Sequence, residues 1–461
     1  MIARPLAPAS ITAPAAGSRR WPFAFGPRFF LLIGLGVLFV VPAWVDRRAI
    51  LLLGVWNAMV VALWIVDVRR IPRDGAIEVT RRWVAPLALG VDARVELAVQ
   101  NRGDVAVDLS IQDDVSATLT DSLPHLELHA GAGDLALAAY TVHPSRRGDT
   151  NAGPTFVRVR TAWQIGERWL SAPLAQTVRV YPDLFEARRQ AMFLIRSRQV
   201  ATEKRRARVS GLGRDFESLR EYQSGDDVRD ICWTATARRS SPVTKVYQPE
   251  QSQAVWILVD GGRLLRARVE DRMKLDGTVN AALALAEVAL AAGDRVGLIT
   301  YGRRIHHRIP PARGHQHLRT ILEALATVQA DRAEGDHAAA AGAVATAQKQ
   351  RALIVWLTDL SETAAIPDVI ESAARLSPRH VVVFAVTQQP ELVALDASVP
   401  NTADEMYRSL AAQETLERRE VLLGTLRQRG VLVLDLQTAR AQGLSAALID
   451  QYLTVKERNL V

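Results

Sequence analysis

The sequence predicts a multidomain protein: an N-terminal transmembrane helical hairpin, a β-sandwich and a C-terminal doubly wound α/β domain. Three observations support this prediction. Two long uncharged apolar runs stand near the start, alternating apolar and polar residues fill the middle, and the C-terminal half alternates apolar runs with helical patterns. A length of 461 residues allows several domains, and a hydrophobic content of 49% is enough for buried cores.

The hairpin is predicted from residues 29–45 and 49–66, two runs without a charged residue that Asp46, Arg47 and Arg48 separate. Each run approaches the roughly 20 residues that a spanning helix needs. A cleaved signal peptide is disfavoured, because the apolar region starts late and is immediately repeated. The alternative is a buried helical hairpin of a soluble domain. We assign residues 29–67 to two transmembrane helices.

The flanking arginines predict the orientation of this hairpin. Three of them precede the first run (Arg19, Arg20 and Arg28), and five follow the second (Arg69, Arg70, Arg73, Arg81 and Arg82). The connecting turn holds only two, offset by an aspartate. By the positive-inside rule, both termini and all soluble domains are expected in the cytoplasm. Residues 1–28 are rich in Ala and Pro and are expected to form a disordered cytoplasmic tail.

Residues 76–182 alternate apolar and polar residues in several short stretches that turn signals such as 101–104 and 147–149 separate. This pattern predicts a β-sandwich, in which no catalytic constellation is visible. Residues 183–250 follow as a connecting region. Its first part, 186–210, predicts a helix and then a basic solvated linker, and the alternative is contact with lipid headgroups or an acidic partner.

Residues 251–461 predict the α/β domain. Nearly continuous apolar runs at 254–260, 295–300, 351–359, 380–386 and 430–435 indicate strands buried on both faces of a largely parallel sheet. Helical patterns separate them, at 274–292, 315–328, 336–350, 365–376 and 403–428, and a last helix ends the chain. Ligands of such folds bind at the carboxyl ends of the strands, where two strands end in Asp260 and Asp359.

Composition excludes several classes of function. The net charge of +8 comes mostly from arginines in tails, linkers and flanks, without the repeated Arg/aromatic platform of single-strand binders, so no nucleic-acid partner is expected. The only cysteine, Cys232, excludes an intrachain disulfide or a cysteine-based zinc site. The histidine clusters 306–307 and 315–317 are read as solvated loops. No GxxxxGK[ST] motif is present, so ATP hydrolysis through a P-loop is excluded.

The two strand-end aspartates resemble part of the von Willebrand factor A-type pattern. In that family an Asp-x-Ser-x-Ser motif, a loop threonine and a later aspartate hold Mg²⁺ through oxygen ligands. Here Asp260 is followed by Gly-Gly-Arg-Leu, and the loop expected to supply the threonine reads Arg-Gly-His-Gln-His at 313–317. No cofactor is therefore expected, Mg²⁺ included, although Asp260 and Asp359 stay the residual metal candidates. The alternatives are helix-capping or arginine-paired aspartates, with Arg263 placing a cation where the metal would sit.

One segment, residues 213–239, is denser in charge than the rest of the chain, and we call it the charged segment. Together with a glutamate ahead of the first α/β strand, it resembles the bacterial domain of unknown function 58 family. The residues that carry the resemblance are Gly213, Phe216, Leu219, Arg220, Glu221, Tyr222, Gly225, Asp226, Asp227, Arg229, Ile231, Trp233, Ala237, Arg238 and Glu250. Further matches lie at 274–276, 293–297, 357–360 and 452–458, and Gly262-Arg263-Leu264 resembles a branch that lacks the metal motif.

The resemblance implies a protein of the bacterial inner membrane with a von Willebrand A-like domain. Such proteins are often paired with a MoxR-type AAA+ ATPase that acts in maturing or remodelling other complexes. The expected function is that of a non-enzymatic membrane-anchored adaptor or scaffold, with the ATPase supplied in trans, the lipid bilayer as a second partner and an unidentified client. The alternatives are a self-standing envelope scaffold and Mg²⁺-dependent ligand binding by the α/β domain.

Three interpretations of the charged segment follow from its residues. As a domain clasp, Asp227 caps a short helix over about 228–238, Ile231 and Trp233 anchor that helix in a core, and the arginines pair with nearby carboxylates. As a catalytic site, Asp226 and Asp227 bind a metal or share a proton, but no histidine or activated nucleophile accompanies them. As a docking surface, the segment binds the partner ATPase. The clasp is the interpretation that the residue pattern favours.

Overall fold

The computed structural model describes residues 7–17, 23–40, 50–183, 215–223, 231–239, 241–248, 253–269, 272–359, 366–387, 390–436, 441–458 and 460. The chain divides into two compact units, an N-terminal unit of Arg4–Asp183 and a C-terminal unit of Leu184–Val461. The predicted turn of the hairpin and the basic linker at 186–210 lie outside the described residues.

The part of the N-terminal unit that the structure describes has two α-helices and twelve strands. Its helices are α1 (Pro27–Leu35), which a 3₁₀ turn (Gly36–Phe39) continues, and α2 (Ile50–Arg70). Its strands are β1 (Ile11–Pro14), β2 (Ala16–Gly17), β3 (Phe23–Phe25), β4 (Ile77–Trp83), β5 (Leu87–Ala88), β6 (Ala93–Asn101), β7 (Val107–Val115), β8 (His125–Ala130), β9 (Leu135–Val142), β10 (Gly148–Thr161), β11 (Gly166–Ala172) and β12 (Gln176–Tyr181).

These strands form two sheets that enclose a common core. One sheet has the order β1-β4-β6-β9, and the other is built on β2-β11-β10-β12-β5, with β3 pairing with β11 and β7 with β10 and β8. The alternation in the sequence explains the layers, since every second residue of β4 and β6 is buried. Apolar side chains of both sheets meet in the same cluster, for example Val79 and Leu97 with Leu109 and Val159. The unit is therefore a β-sandwich.

The N-terminal residues differ from the expected disordered tail. Residues Ile11–Pro14 pair with β4, Ala16–Gly17 pair with β11, and Phe23–Phe25 also pair with β11. Ala13 and Ala15 are buried in the sandwich core. These strands have two to four residues, too few to show an alternating pattern. Edges of the existing sheets, which local sequence does not reveal, provide their hydrogen bonds.

Helix α2 is the one described helix that is both long enough and apolar enough to cross a membrane, while residues 27–39 form a shorter apolar helix. Both helices present large apolar side chains outward, among them Phe30, Leu31, Leu51 and Val55. They also contact each other, because the indole nitrogen of Trp56 donates to the carbonyl oxygen of Leu32 at 2.8 Å. The second predicted span is thus observed as a helix, whereas the end of the first run, 41–45, is outside the described residues.

The C-terminal end of α2 is bound to the sandwich by Asp67, which is completely buried. Its carboxylate accepts hydrogen bonds from the backbone N–H groups of Ile165 (3.0 Å) and Gly166 (2.8 Å), and from the hydroxyl of Thr161. These donors all belong to the turn between β10 and β11. Three satisfied bonds to one buried carboxylate fix the helix end on this turn.

The sandwich core contains a buried ion pair, Arg81–Asp113, both of whose side chains are inaccessible to solvent. The guanidinium binds both carboxylate oxygens, and its other N–H groups donate to the carbonyl oxygens of Leu174 (2.8 Å) and Gly153 (2.9 Å). The Tyr140 hydroxyl donates to the same carboxylate at 2.5 Å. Burial, with help from the Asp113 charge, raises the pKa of Tyr140 far above its ordinary value. The cost of burying the Arg81 and Asp113 charges is thus offset by their mutual attraction and by further hydrogen bonds to each side chain.

The described residues of the C-terminal unit form ten strands and eight α-helices. Its strands are β13 (Asp215–Glu221), β14 (Val243–Gln248), β15 (Ala254–Asp260), β16 (Arg268–Val269), β17 (Arg272–Met273), β18 (Arg295–Tyr301), β19 (Ile305–Ala312), β20 (Leu353–Thr358), β21 (Val381–Thr387) and β22 (Leu432–Leu436). Its helices are α3 (Trp233–Arg239), α4 (Lys274–Ala291), α5 (His315–Thr327), α6 (His337–Ala347), α7 (Ile366–Leu376), α8 (Pro390–Ala397), α9 (Ala403–Gln428) and α10 (Ala441–Glu457).

Six strands form the main sheet, in the order β19-β18-β15-β20-β21-β22. All neighbours are parallel except β19, which is antiparallel to β18 at one edge. Every residue of β15 and β20 is buried, as the continuous apolar runs predict. Counted along the chain, the order is 3-2-1-4-5-6, the order of a doubly wound α/β sheet. Its direction reverses between β15 and β20, so this fold places a binding crevice at their carboxyl ends.

Candidate functional site

The candidate site lies at the carboxyl ends of β15 and β20, where the strand order reverses. Asp260 is the last residue of β15 and is 4% exposed. One of its carboxylate oxygens accepts from the backbone N–H of Gly262 at 2.7 Å, and the other accepts from the hydroxyl of Thr358, the last residue of β20, at 2.7 Å. The carboxylate therefore links the two strand ends at the switch point.

The second strand-end carboxylate, Asp359, has a cationic partner that the sequence analysis does not name. The ammonium nitrogen of Lys274, the first residue of α4, donates to its Oδ2 at 2.7 Å. The two side chains are 3% and 1% exposed, so the pair is shielded from water. A buried charge of either sign is costly alone, and each of these two charges neutralises the other.

Three rings complete the cluster beside Asp260. The indole nitrogen of Trp356 donates to the hydroxyl oxygen of Tyr301 at 2.5 Å, and that hydroxyl lies 2.9 Å from Nδ1 of His337. The phenol oxygen accepts the indole proton, and a neutral imidazole that carries its proton on Nε2 would accept the phenol proton at Nδ1. All three rings are buried. They are spread along the chain, and the sheet and α6 bring them together.

Two glycine-bearing loops cover the Asp260 carboxylate. A Cβ on Gly335 would lie 2.5 Å from Oδ1 of Asp260, and one on Gly262 would lie 2.9 Å from the backbone nitrogen of Gly335. The loops are joined, because the Arg263 N–H donates to the carbonyl oxygen of Ala333 at 2.9 Å. Only glycine permits this close approach. The carboxylate is consequently enclosed by backbone.

Burial is the main cause of the pKa shifts in the cluster. It raises the pKa of Asp260, and the Asp359 charge adds a smaller increase, while His337, Thr358 and the Gly262 amide oppose it. Burial also lowers the pKa of His337, against the opposing attraction of Asp260 and other carboxylates. Burial and the Asp260 charge raise the pKa of Tyr301 far above its ordinary value. A neutral histidine and a neutral tyrosine are thus favoured in the folded state.

The lowered pKa of His337 predicts a pH dependence of stability. Above its unfolded-state pKa of about 6.5 the histidine is neutral in both states, and its contribution to stability is complete. As the pH falls toward the folded-state pKa, only the unfolded chain takes up the proton, and the contribution is lost. We expect the stability advantage of the wild type over His337→Gln to shrink between pH 7.5 and 5.5, by at most about 1.4 kcal/mol per pH unit.

Thermal unfolding of both proteins at the two pH values measures this difference. Other histidines, such as His307 and His380, are present in both proteins, and their contributions cancel. An advantage that is the same at pH 7.5 and pH 5.5 would show that His337 is not held neutral by the fold.

One residue and one loop proposed for the site have different positions from those expected. Arg263, suggested as the substitute cation, pairs with Glu334 at 3.2 Å, and both side chains are more than one-third exposed. The buried cation is Lys274 instead. The loop 313–317 follows β19, which runs antiparallel to β18, and therefore lies at the amino ends of the parallel strands. The loop at the carboxyl ends is 329–336, which carries Gly335 and leads into His337, the first residue of α6.

The charged segment is described in part. Its first residues form β13, which pairs with β14, and Ile231 forms an isolated bridge with Thr244. Leu219, Arg220 and Glu221 are exposed, and Tyr222 is half-buried. A short helix is observed as Trp233–Arg239. It begins later than the predicted start near residue 228, because Ile231 pairs with Thr244, so the predicted N-cap at position 227 is wrong. Four of the expected site residues, Gly225, Asp226, Asp227 and Arg229, lie outside the described residues, as does Glu250, and the side-chain environment of Phe216 is not described either.

One expectation for this segment is wrong. Trp233 is 67% exposed, although the clasp interpretation requires it in a core. It is the first residue of α3, and this helix directs its indole to solvent, as it does the exposed Arg238. Ile231 and Cys232 are half-buried. The buried residues at this place are Val243 and Thr244 of β14.

The residues present do not fit a Mg²⁺ site. The Asp359 carboxylate binds the Lys274 ammonium, and the Asp260 carboxylate is engaged by Gly262 and Thr358 and covered by backbone. A divalent cation prefers several oxygen ligands, and a nearby ammonium repels it. In the part of the chain that the structure describes, no group of three or more His, Cys, Asp or Glu residues is placed to hold a metal.

Comparison with known families identifies one domain. Residues 218–416 match the family described as "Protein of unknown function DUF58". This range contains β15, β18, β20 and α4, and with them Asp260, Lys274 and Asp359. The residues that match this family model thus include the candidate site.

Comparison with individual proteins finds similar sequences in three bacterial species. Uncharacterized proteins of Mycobacterium tuberculosis and Mycobacterium bovis are each 29% identical over 250 residues, which cover 50% of this chain and 77% of the relative. The uncharacterized protein YeaD of Bacillus subtilis is 29% identical over 117 residues, 25% of this chain and 27% of YeaD. Among solved structures, the conserved hypothetical protein BatB from Bacteroides thetaiotaomicron has 11% identity and a TM-score of 0.30, covering 44% of this chain and 100% of BatB.

Proposed function

We propose that this protein is a non-enzymatic, membrane-anchored adaptor whose C-terminal α/β unit binds other proteins without using a metal. The observation that carries the proposal is the buried Lys274–Asp359 pair at the switch point of the sheet. At this place a ligand-binding α/β domain exposes its reactive or metal-binding groups. Here the carboxylates are neutralised or hydrogen-bonded inside the protein, which suits a rigid binding module better than a catalyst.

The sheet order and the strand-end aspartates support the comparison with a von Willebrand A-like domain. The α/β unit has one antiparallel edge strand and the order 3-2-1-4-5-6, with Asp260 and Asp359 at the reversal. Its departure from the metal-binding pattern is chemical, because a lysine side chain supplies the positive charge. We therefore propose a von Willebrand A-like unit with a degenerate metal site that is occupied by the protein's own cation.

The membrane anchor is proposed to be a two-span hairpin in a bacterial inner membrane, with both termini and the soluble units in the cytoplasm. Strands β1 to β3 pair with the sandwich, so the chain before α1 is on the same side as the sandwich. The end of α2 is bound to that same side through Asp67. If α2 crosses the membrane, the preceding residues must cross it as well, because a chain that starts and ends on one side crosses an even number of times.

We propose that this adaptor works with a separate ATPase protein. The DUF58 domain resembles proteins paired with MoxR-type AAA+ ATPases, and we propose the same pairing for maturation or remodelling of a client complex. The test is affinity capture of the full-length protein from membranes with and without ATP. Nucleotide-dependent recovery of an AAA+ ATPase supports the proposal, and recovery of no ATPase favours a self-standing envelope scaffold.

The exposure of Trp233 supports docking over clasping as the role of the charged segment. A large exposed aromatic side chain is typical of the anchors at protein interfaces. We expect Trp233→Ala to change the stability of the isolated protein by less than about 0.5 kcal/mol, because the side chain is already in water. In the capture experiment the same variant is expected to recover at least tenfold less ATPase.

A double variant of the paired acids provides a second test of the charged segment. Asp226→Ala combined with Asp227→Ala is expected to fold and to lose partner binding if the charged segment is a docking surface. Loss of folding and expression in that variant supports the clasp. A stable variant that keeps its partner but loses a measurable turnover supports chemistry at this place.

A further inference from the structure

The ends of both apolar helices meet at one turn of the sandwich, residues 161–166. Helix α2 is bound there through Asp67. The residue before α1, Gly26, donates its N–H to the carbonyl oxygen of Ile165 at 2.7 Å. The indole nitrogen of Trp64 donates to the carbonyl oxygen of Ala24 at 3.2 Å, which ties α2 to β3. This turn is therefore the part of the sandwich nearest the apolar surface of the helices.

Two exposed arginines contact the turn, and two more lie close to Arg70 along the chain. Arg28 donates to the carbonyl oxygen of Ala162 at 3.2 Å, and the guanidinium of Arg70 lies 4.3 Å from the ring centroid of Trp163. Arg69 and Arg73 are their exposed neighbours along the chain. Among the described residues, no carboxylate lies within 4.0 Å of the guanidinium nitrogens of these four arginines. We call these four arginines and Trp163 the basic rim.

The acidic side chains next to the basic rim are already engaged. Asp67 is buried and accepts from the turn, Asp74 binds Arg168 at 2.7 Å, and Glu167 binds Arg160 at 2.9 Å. The rim arginines are thus a local excess of positive charge without an internal counter-ion in the described structure. Several unpaired positive charges beside an apolar helix surface are favourable only where external anions can bind them.

We propose that the basic rim binds the phosphate groups of anionic lipids, so that the β10–β11 turn of the sandwich lies at the headgroup level of the membrane. This inference rests on the membrane anchor proposed above. Half-exposed Trp163 provides the amphipathic ring that is typical of this level, and the stacked Arg70 presents its guanidinium toward the lipid phosphates. Because Asp67 fixes α2 on the turn, lipid contact at the rim also sets the orientation of the whole sandwich on the bilayer.

The test uses full-length protein reconstituted into phosphatidylcholine vesicles with and without 30% phosphatidylglycerol, a composition we choose as roughly that of an anionic bilayer surface. In a Cys232→Ser background, Ala162→Cys receives a polarity-sensitive fluorophore, beside the rim but outside it. The matched control label is Ser122→Cys. That exposed position lies beyond the far end of β7, about 30 Å from the turn by strand length.

The expected result is strong quenching of the label at 162 by spin-labelled phosphatidylglycerol, several-fold weaker quenching by spin-labelled phosphatidylcholine, and little quenching of the label at 122. Replacing Arg28, Arg69, Arg70 and Arg73 by glutamine is expected to remove the preference for the anionic lipid. Equal quenching at 162 and 122, in protein that resists carbonate extraction, would overturn the basic rim alone. Release of the protein by carbonate would instead overturn the membrane anchor on which the inference rests.

Discussion

Replacement of Lys274 by methionine is expected to destabilise the C-terminal unit by about 3–5 kcal/mol, because it leaves the Asp359 carboxylate buried without its cation. Methionine keeps much of the volume of the lysine side chain, so the effect of lost packing is small. The side chains of the pair are almost inaccessible, and solvent screening does not reduce the cost. Thermal unfolding of the full-length protein in detergent, followed by the transition of the C-terminal unit, measures the loss.

Two further variants control this result. The double variant Lys274→Met/Asp359→Leu removes both charges and is expected to recover most of the lost stability. Arg408→Ala breaks the Asp404–Arg408 pair, in which both side chains are about two-thirds exposed, and is expected to cost less than about 1 kcal/mol. A Lys274→Met protein as stable as the wild type would show that Asp359 does not need this cation.

Replacement of Arg81 by methionine is expected to destabilise the N-terminal unit by a similar amount, about 3–5 kcal/mol. The substitution leaves Asp113 buried without its counter-ion, and it removes donors from the carbonyl oxygens of Gly153 and Leu174. Tyr140 keeps its hydrogen bond to Asp113 but does not neutralise the carboxylate, because a phenol carries no positive charge. The measurement is the unfolding transition of the N-terminal unit in the same thermal experiment.

The neighbouring residue provides a matched control. Arg82 follows Arg81 on β4, points to the opposite face and pairs with Glu96 at 3.9 Å, with its own side chain 67% exposed. Arg82→Met is expected to change stability by less than about 1 kcal/mol. Equal effects of the two substitutions would contradict a special role of the buried pair, and Arg81→Met/Asp113→Leu should restore much of the loss.

The sequence predicts the parts of this fold that depend on repeated local patterns. The run AVWILVD is observed as the buried strand β15, and the pattern at 403–428 as helix α9. The ends of two helices can also be predicted from the sequence. Gly293 follows α4 and Gly430 follows α9, with φ of +84° and +78°, and such positive φ values favour glycine. In contrast, strands β1 to β3 depend on edges supplied by distant residues, and local composition alone suggests disorder.

The sequence predicts less of the candidate site than of the fold. Asp260 and Asp359 are identified because each ends an apolar strand. Lys274 is not, because a lysine at the start of a helix is usually exposed, and its burial depends on Asp359, which is 85 residues away along the chain. His337 and Tyr301 likewise show no pattern of their own. The absence of hydroxyls after Asp260 is the one local departure from the metal-binding pattern. The Lys274 cation beside Asp359 is visible only in three dimensions.

The central claim is that the switch point of the α/β unit is closed by the protein's own cation and works without a metal. Isothermal titration calorimetry of the full-length protein with Mg²⁺ and with Mn²⁺ tests it most directly. We predict no stoichiometric binding heat for either ion, and the same flat response from the Asp260→Ala variant. A stoichiometric isotherm in the wild type that Asp260→Ala abolishes would contradict the claim and place a working metal site beside Lys274.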